Sequence, residues 1–401
     1  MPISDKQKKI LFLTHNYIRR RGDYAGVFLH LLATKLTELG FEISVVAPHD
    51  AGTPEYEEID GIKIYRFRYA DDRDETFAYR GNMHRQFLTN PFKIFKFIKF
   101  LKASYRKATE VIEKENISTV SVHWVIPNGI VGYFLKDKFG AKINMFLHSH
   151  GTDVRLLTSY YLIYLFFKPV INKFKRWSVV SNYLKRLILE RDIYIADKID
   201  VIPLPNDETL FYPDNNISED PNLIISISRL TIQKRVDIFI KAIALLKDQF
   251  PKLRADIYGD GPEKQKLLSL IKENKLTDIV NIMSPVSQDK LRDIYNEASI
   301  VVLNSVDEGF GLILTEAMLC CRPVIGADSG GITDIIDENQ TGLLVEENDP
   351  NKLAEAVKQY LNDPVKKSNL AEAGYKKALE NFSSLSTAKR YANLFCESDN
   401  I

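Results

Sequence analysis

Residues 10–48 read ILFLTHNYIRRRGDYAGVFLHLLATKLTELGFEISVVAP. The apolar run from Ile10 to Thr14 has the length of a strand and leads into a glycine-containing loop, RRRGDYAG. Apolar residues then recur at helical spacing, at Val27, Leu31, Leu32, Leu36 and Leu39, until Gly40 closes the helix. FEISVVAP returns to strand composition. Strand, helix and strand in this order form a right-handed βαβ unit, so the fold is expected to rest on a parallel sheet.

The pattern continues outward. Further strands are expected at Ile62–Phe67, Thr119–His123, Ile143–Leu147 and Ser178–Val180. The segment VIPLPNDETLFYP, residues 201–213, carries three prolines and marks a stiff boundary. Beyond it the scheme repeats, with strands at Leu223–Ile227, Leu253–Tyr258, Val280–Met283, Ile300–Leu303 and Pro323–Ile325, and helices near 235–248, 263–274, 311–320 and 351–362. A chain of 401 residues exceeds what one core usually serves. The expected fold class is α/β, two Rossmann-like domains facing across a cleft. The N-terminal domain would span 1–204 and the C-terminal domain 205–380, with a last helix, 381–401, packing back on the first. Ligands of open α/β sheets bind outside the carboxyl ends of the strands, so the chemistry is expected in that cleft.

Composition narrows the class. With 45% hydrophobic and 27% charged residues the chain is globular and not disordered. Cys320, Cys321 and Cys396 have neither zinc-site spacing nor the density of a disulfide scaffold, which points to a reducing compartment. MPISDKQKKILFLTHNY lacks the apolar core of a signal peptide, so a cytoplasmic location is expected. The net charge of +1 hides a split: residues 1–200 hold 32 Lys/Arg and 22 Asp/Glu, a net +10, while 201–401 hold 22 and 31, a net −9. A basic half either faces an anionic partner or reflects ordinary surface drift.

Four polar features of the second half fall in loops that leave strands. Arg229 and Lys234 supply a fork of donors and a point charge, a pairing suited to a diphosphate, although either alone would read as a solvated loop cation. Gly259-Asp260-Gly261-Pro262 lacks the full dinucleotide fingerprint and reads as a plain turn or as a tight loop that a base or ribose approaches. In EGFGLILTEAM, residues 308–318, glycines precede a helix starting near Leu312, and the free amides of its first turn make an anion site. Glu308 and Glu316 flank that site. They would repel phosphates, so they are read as acceptors of hydroxyl hydrogen bonds, one holding a ribose and the other a sugar. The apolar run AMLCCRPVI after Glu316 implies burial, and a buried Glu usually has a partner.

The series ISRLTIQKRVD, YGDGPE, NSVDEGFGLILTEAMLCCRPVIGADSGGITDII and TGLLVEENDPNKLAEAV resembles the C-terminal domain of the family 4 retaining glycosyltransferases, whose fold is called GT-B. RGDYAGVF, HWVIPNGIVGYF, HSHGTDV and VVSNYLKRLI extend the similarity through the first half. The resemblance implies transfer of a sugar from a nucleotide diphosphate donor of the UDP or GDP type to a glycan or lipid-linked acceptor, with anomeric configuration retained, in cell-surface polysaccharide or glycolipid biosynthesis. By match to the motifs, Glu308 would contact the donor sugar and Glu316 the ribose. Arg229 and Lys234 would bind the diphosphate, helped by amides at Gly311, Leu312 and Ile313, and Gly259 and Gly261 would line the donor site. A positive clamp on the departing diphosphate takes the place of a metal, so no metal or other cofactor is expected. His150 matches the histidine that approaches the donor sugar, with His148 structural. Asp153 is either an acceptor contact or a helix cap, and Gly26 either lies against phosphates and acceptor or is a turn glycine. Cys320-Cys321, Asn304-Ser305 and Asn206-Asp207 depart from the common pattern and leave the donor preference open. A sugar-nucleotide 2-epimerase of the same fold and a non-catalytic nucleotide-sugar-binding subunit are the alternatives; no base-reading motif suggests nucleic acid.

Two segments bear on membranes. NPFKIFKFIKFLKASYRK, residues 90–107, reads as a basic amphipathic helix that lies on an anionic membrane surface or packs on the sheet with its lysines in water. SYYLIYLFFKPV, residues 159–170, is apolar but too short to span a bilayer, and is either a lipid contact or core. Together with the basic half they suggest a peripheral position on the inner face of the membrane.

Overall fold

The computed structural model describes residues 8–79 and 93–397, so residues 90–92 of the basic segment lie outside the described residues. The chain divides into two units. One holds residues 1–180, 184–205 and 387–401, and the other 181–183 and 206–386.

The first unit is built on eight strands: β1 (Lys9–Leu13), β2 (Glu42–Pro48), β3 (Tyr56–Ile59), β4 (Ile62–Phe67), β5 (Thr119–His123), β6 (Asn144–Ser149), β7 (Arg176–Val179) and β8 (Ile199–Val201). Their order is β3-β4-β2-β1-β5-β6-β7-β8. Neighbours pair in parallel except β3 and β4, a hairpin closed by Asp60 and Gly61, both with positive φ. Helices cover the sheet, which is why β1 and β2 are nearly continuous apolar runs and why every residue of β5, Thr119, Ser121 and His123 included, is buried. Helix Val27–Glu38 buries Leu29, Leu32, Ala33 and Leu36. Helix Lys93–Glu115 extends beyond the expected segment and buries Phe100, Ser104, Ala108, Val111 and Ile112. The final helix, Ser384–Glu397, brings Phe395 against Phe41 and Phe146 in the same core.

The second unit has six strands: β9 (Asp220–Ile227), β10 (Arg254–Tyr258), β11 (Val280–Met283), β12 (Ala298–Leu303), β13 (Val324–Ala327) and β14 (Leu343–Val345). They lie in the order β11-β10-β9-β12-β13-β14, all parallel. The chain runs outward from β9 to β11 and then returns to β12 on the other flank of β9. Strand order therefore reverses between β9 and β12, as it does between β1 and β5 in the first unit. Loops leaving the carboxyl ends of such a strand pair diverge to opposite faces and open a crevice, the usual ligand position in open sheets.

Candidate functional site

In the second unit the loop leaving β9 carries Ser228, the exposed Arg229 and, after a 3-10 turn Ile232–Lys234, the Lys234 ammonium. The loop leaving β12 carries Asn304 to Gly311. Because β9 and β12 flank the switch point, the two loops start side by side, and Lys234 Nζ donates to Glu308 Oε2 at 2.5 Å. The two groups were expected on different parts of a ligand; here they meet each other, with side chains 19% and 17% exposed.

The Glu308 loop is held from both sides. Val306 N donates to Gln233 O at 3.0 Å, and Gln233 Nε2 returns a bond to Val306 O at 3.2 Å. On the β13 side Ser329 Oγ accepts from Asp307 N at 3.1 Å, and Gly331 N donates to Glu308 O at 2.7 Å. A Cβ on Gly330 would fall 2.5 Å from Glu308 O, so glycine is what allows this approach. Sequence reasoning missed Gln233 and Ser329–Gly331 as supports; the cluster SGG just past a strand end was the available signal.

Beneath these loops lie polar atoms without partners. Ser228 Oγ, Asn304 Oδ1 and Nδ2, and Ser305 Oγ are buried and have no hydrogen-bond partner among the described residues. Buried polar atoms are nearly always bonded, so a group of four at the switch point marks a place where a polar ligand or water completes the bonding.

Gly311, in the left-handed region, opens helix Leu312–Leu319. The first-turn amides of Leu312 and Ile313 have no acceptor within the helix, as the amino-end geometry requires. Glu316 sits on the next turn, half-buried, and accepts a bond from the Tyr295 hydroxyl at 2.7 Å. Burial pushes its carboxyl up to about 7, and the tyrosine bond only partly opposes this. The glycines of GDGP are required by the protein's own packing. A Cβ on Gly259 would fall 1.9 Å from Ser228 O, and one on Gly261 would fall 2.4 Å from Leu230 O. The neighbour that demands glycine is the protein's own β9 loop, which bonds across through Leu230 N to Asp260 O at 3.0 Å.

In the first unit the switch point gathers histidines. His15 follows β1, His123 ends β5, and His150 lies just past β6. His150 Nε2 is 3.2 Å from His123 Nδ1, and His123 Nε2 is 3.2 Å from Ser121 Oγ. The His150 ring packs on Trp124 at 4.4 Å and Phe28 at 4.9 Å, and its Nδ1 is buried with no partner among the described residues. Burial lowers His150 to about 3 and His15 to about 4, and holds His123 well below the usual range, so all three are neutral at physiological pH. Asn128 Nδ2 donates to His123 O at 2.7 Å and lies 3.2 Å from His15 Nδ1. Of this group only His150 was singled out from sequence; His15, His123 and Asn128 each follow or end a strand, and that placement was their signal. His148 is structural, its Nδ1 2.6 Å from Ser178 Oγ.

The structure bears on two more first-unit residues. Asp153 lies inside the first helical turn and does not cap it: it is 3% exposed, and its Oδ2 accepts from Val125 N at 2.9 Å and Ser149 Oγ at 2.7 Å, tying the β5 loop to β6. Gly26 serves the turn: φ is 63°, and a Cβ there would meet Tyr17 Cα at 2.6 Å. Near the β2 end, His49, Asp72 and Glu75 place ligand-type atoms within 4.8 Å of one another, and Asp72-Arg73-Asp74 is an Asp-x-Asp sequence. His49 is already bonded to Glu75 at 2.6 Å and Thr53 O at 2.8 Å, and Asp72 pairs with Arg68, so internal bonding accounts for the group.

A cation, a carboxylate and an open helix amino end at the switch point of a parallel sheet place the protein in the α/β class, with groups whose chemistry suits a phosphorylated, hydroxyl-bearing ligand. Residues 25–209 match the family described as Glycosyltransferase Family 4, and residues 207–377 the one described as Glycosyl transferases group 1. An uncharacterized glycosyltransferase of Methanocaldococcus jannaschii is 30% identical over 282 residues, 70% of this chain and 76% of that protein. N-acetyl-alpha-D-glucosaminyl L-malate synthase of Bacillus anthracis is 28% identical over 321 residues, 76% of this chain and 81% of that protein. The chain belongs to the family 4 glycosyltransferases. Its fold is GT-B: sucrose-phosphate synthase from Thermosynechococcus elongatus superposes with a TM-score of 0.78 at 20% identity, covering 98% of this chain and all of the other. Anabaena HepE in complex with UDP and glucose gives 0.70 at 17% identity, with 98% of this chain and all of the other covered.

Proposed function

We propose that this glycosyltransferase moves a sugar from a nucleotide diphosphate donor of the UDP or GDP type to a glycan or lipid-linked acceptor, retaining the anomeric configuration and using no metal. The observation that carries the reading is the Lys234–Glu308 pair, held by loops that leave the two switch-point strands. A diphosphate takes over the Lys234 ammonium and releases the Glu308 carboxylate to accept sugar hydroxyls. Arg229, exposed on the same loop, reaches the diphosphate from outside, and the Gly311, Leu312 and Ile313 amides add uncharged donors. Charge that develops on the leaving diphosphate then meets fixed donors, the kind of stabilisation that accounts for much of an enzyme's rate.

Glu316 accepts from the ribose. His150, neutral, offers its ring to a sugar hydroxyl. The acceptor hydroxyl attacks from the face the leaving group departs, and a donor phosphate oxygen takes its proton, so the bond to phosphate breaks as the new glycosidic bond forms. The second unit serves the donor and the first the acceptor. Anabaena HepE, solved in complex with UDP and glucose, supports a nucleotide-sugar donor and leaves the acceptor to be found. The product would enter a cell-surface polysaccharide or glycolipid, with the enzyme cytoplasmic and peripheral at the membrane.

The test is a transfer assay with UDP- and GDP-sugars, read by proton NMR of the anomeric signal. Transfer with retention, abolished by Glu308→Ala in a folded protein, is expected. Donor epimerisation without transfer, or full activity in Glu308→Ala, would overturn the reading.

A further inference from the structure

The face of the first unit formed by three adjoining helices is unusual for water. Helix Tyr161–Asn172 buries Tyr164, Phe167, Val170 and Ile171 and turns an apolar stripe outward. Leu162 is 79% exposed, Leu165 43% and Phe166 70%, with Pro169 continuing the same i, i+3, i+4, i+7 row. Asp192 accepts from the Tyr164 hydroxyl at 2.9 Å and from Lys168 at 2.7 Å, which holds the exposed Ile193 and Tyr194 beside that helix. Contiguous apolar surface of this kind marks an interaction site.

The neighbouring helices supply charge. Helix Ile130–Phe139 lies between the stripe and helix Lys93–Glu115: Lys173 pairs with Asp137, and Phe134, exposed, packs edge-on against Tyr105 at 6.4 Å. Along Lys93–Glu115 the outer row is Phe95, Ile98, Lys99, Lys102 and Arg106, all exposed, opposite the buried Phe100, Ser104 and Ala108. Residues 93–109 contain six Lys/Arg and no Asp/Glu. Among the described residues Lys99, Lys102 and Arg106 have no acidic partner. An apolar row beside a row of unneutralised cations complements a bilayer whose surface is anionic and whose interior is apolar. No described helix is long and apolar enough to cross a membrane, so the fit is to a surface.

We propose that these three helices form a docking face for an anionic lipid bilayer, with Leu162, Leu165 and Phe166 entering the interfacial layer and Lys99, Lys102 and Arg106 over the headgroups. This deepens the peripheral position proposed above by assigning its surface and lipid charge. Side chains of the Lys and Arg type keep their heads in the polar layer while their stems cover apolar surface.

The experiment is vesicle co-sedimentation of the full chain with phosphatidylcholine alone and with equal parts phosphatidylcholine and phosphatidylglycerol, followed by nucleotide titration of each variant. Binding to the anionic vesicles only, weakening with salt, is expected. Removing Lys99, Lys102 and Arg106 together as glutamines should weaken it about a hundredfold, and Leu162→Ser with Phe166→Ser at least tenfold, with UDP or GDP binding unchanged in both. Equal binding by wild type and variants, or no binding to anionic vesicles, would overturn the proposal. So would a dimer lost on Phe166→Ser without vesicle binding, which would assign the stripe to a second copy of the chain. Vesicle binding without any nucleotide binding would leave the docking face standing and defeat the donor reading alone.

Discussion

At the scale of single residues, the proposed function rests on a charge pair that a ligand has to open. Lys234 and Glu308 neutralise each other at 2.5 Å, so a mutation of either leaves the other as a half-buried lone charge. Lys234→Ala should lower kcat/KM by about a hundredfold or more, since it removes a donor to the leaving group; circular dichroism checks that the variant folds. Glu316 gives a pH signature. Its folded carboxyl titrates at about 7 against an ordinary 4.5, so the folded state holds the extra proton between those values and its stability contribution falls as pH rises through that window. Ribose hydroxyls bond best to the ionised form, so nucleotide affinity should rise with pH up to about 7 and then level off, and Glu316→Gln should abolish that slope; calorimetry at several pH values measures it. The buried histidines act in the opposite sense. His150 at about 3 and His15 at about 4, against an ordinary 6.5, stay neutral when the unfolded chain would be protonated. Stability from them is therefore complete above about 6.5 and lost as pH falls toward the folded values, which thermal melts at neutral and mildly acid pH should record as a lower Tm. Glu308, Arg229 and Lys234 were legible as candidates because each lies where a strand run gives way to glycine or polar residues, and Glu316 because an apolar run follows it inside a helix. The pairing of Lys234 with Glu308 was not legible, because it depends on which strands are neighbours.

At the scale of elements, the long apolar strands and amphipathic helices were readable from periodicity; most of those boundaries moved by a residue or two, but β9 starts three residues earlier than expected and helix Lys93–Glu115 ends eight residues beyond the expected segment. Short edge elements were not. β8 and β14 have three residues each, too few to show a period, and β3 was passed over although Asp60-Gly61 is a strong hairpin turn signal. Loops were read for ligand contacts, and the structure adds what they press against: GDGP accommodates the β9 loop, and Gly330–Gly331 accommodate the Glu308 loop. Gly330→Ala should force the two loops apart, costing about 1–3 kcal/mol, near 2–4 °C in Tm per kcal/mol for a unit of this size. Its transfer activity should fall further than its stability does, because the displaced loop carries Glu308; comparing the melt with kcat/KM separates the two.

At the scale of the molecule, the repeat of strand and helix through both halves gave the two-unit α/β fold, and the ordered motif set gave the family. The acceptor has no such signature: no motif of the first half specifies one, and His15, His123 and Asn128, which the fold gathers at the switch point of the first unit, carry no motif of their own. If fixed cations carry the leaving group, transfer should persist in excess chelator, and an absolute requirement for added divalent cation would remove that mechanism. The most direct measurement is calorimetric titration of UDP and of GDP into the wild-type chain and into Lys234→Ala. One diphosphate should bind the wild type and lose roughly tenfold to a hundredfold in affinity in the variant, the worth of a charge-assisted bond. Equal affinity in both proteins, or no binding of either nucleotide to the wild type, would contradict a donor site at the β9–β12 switch point.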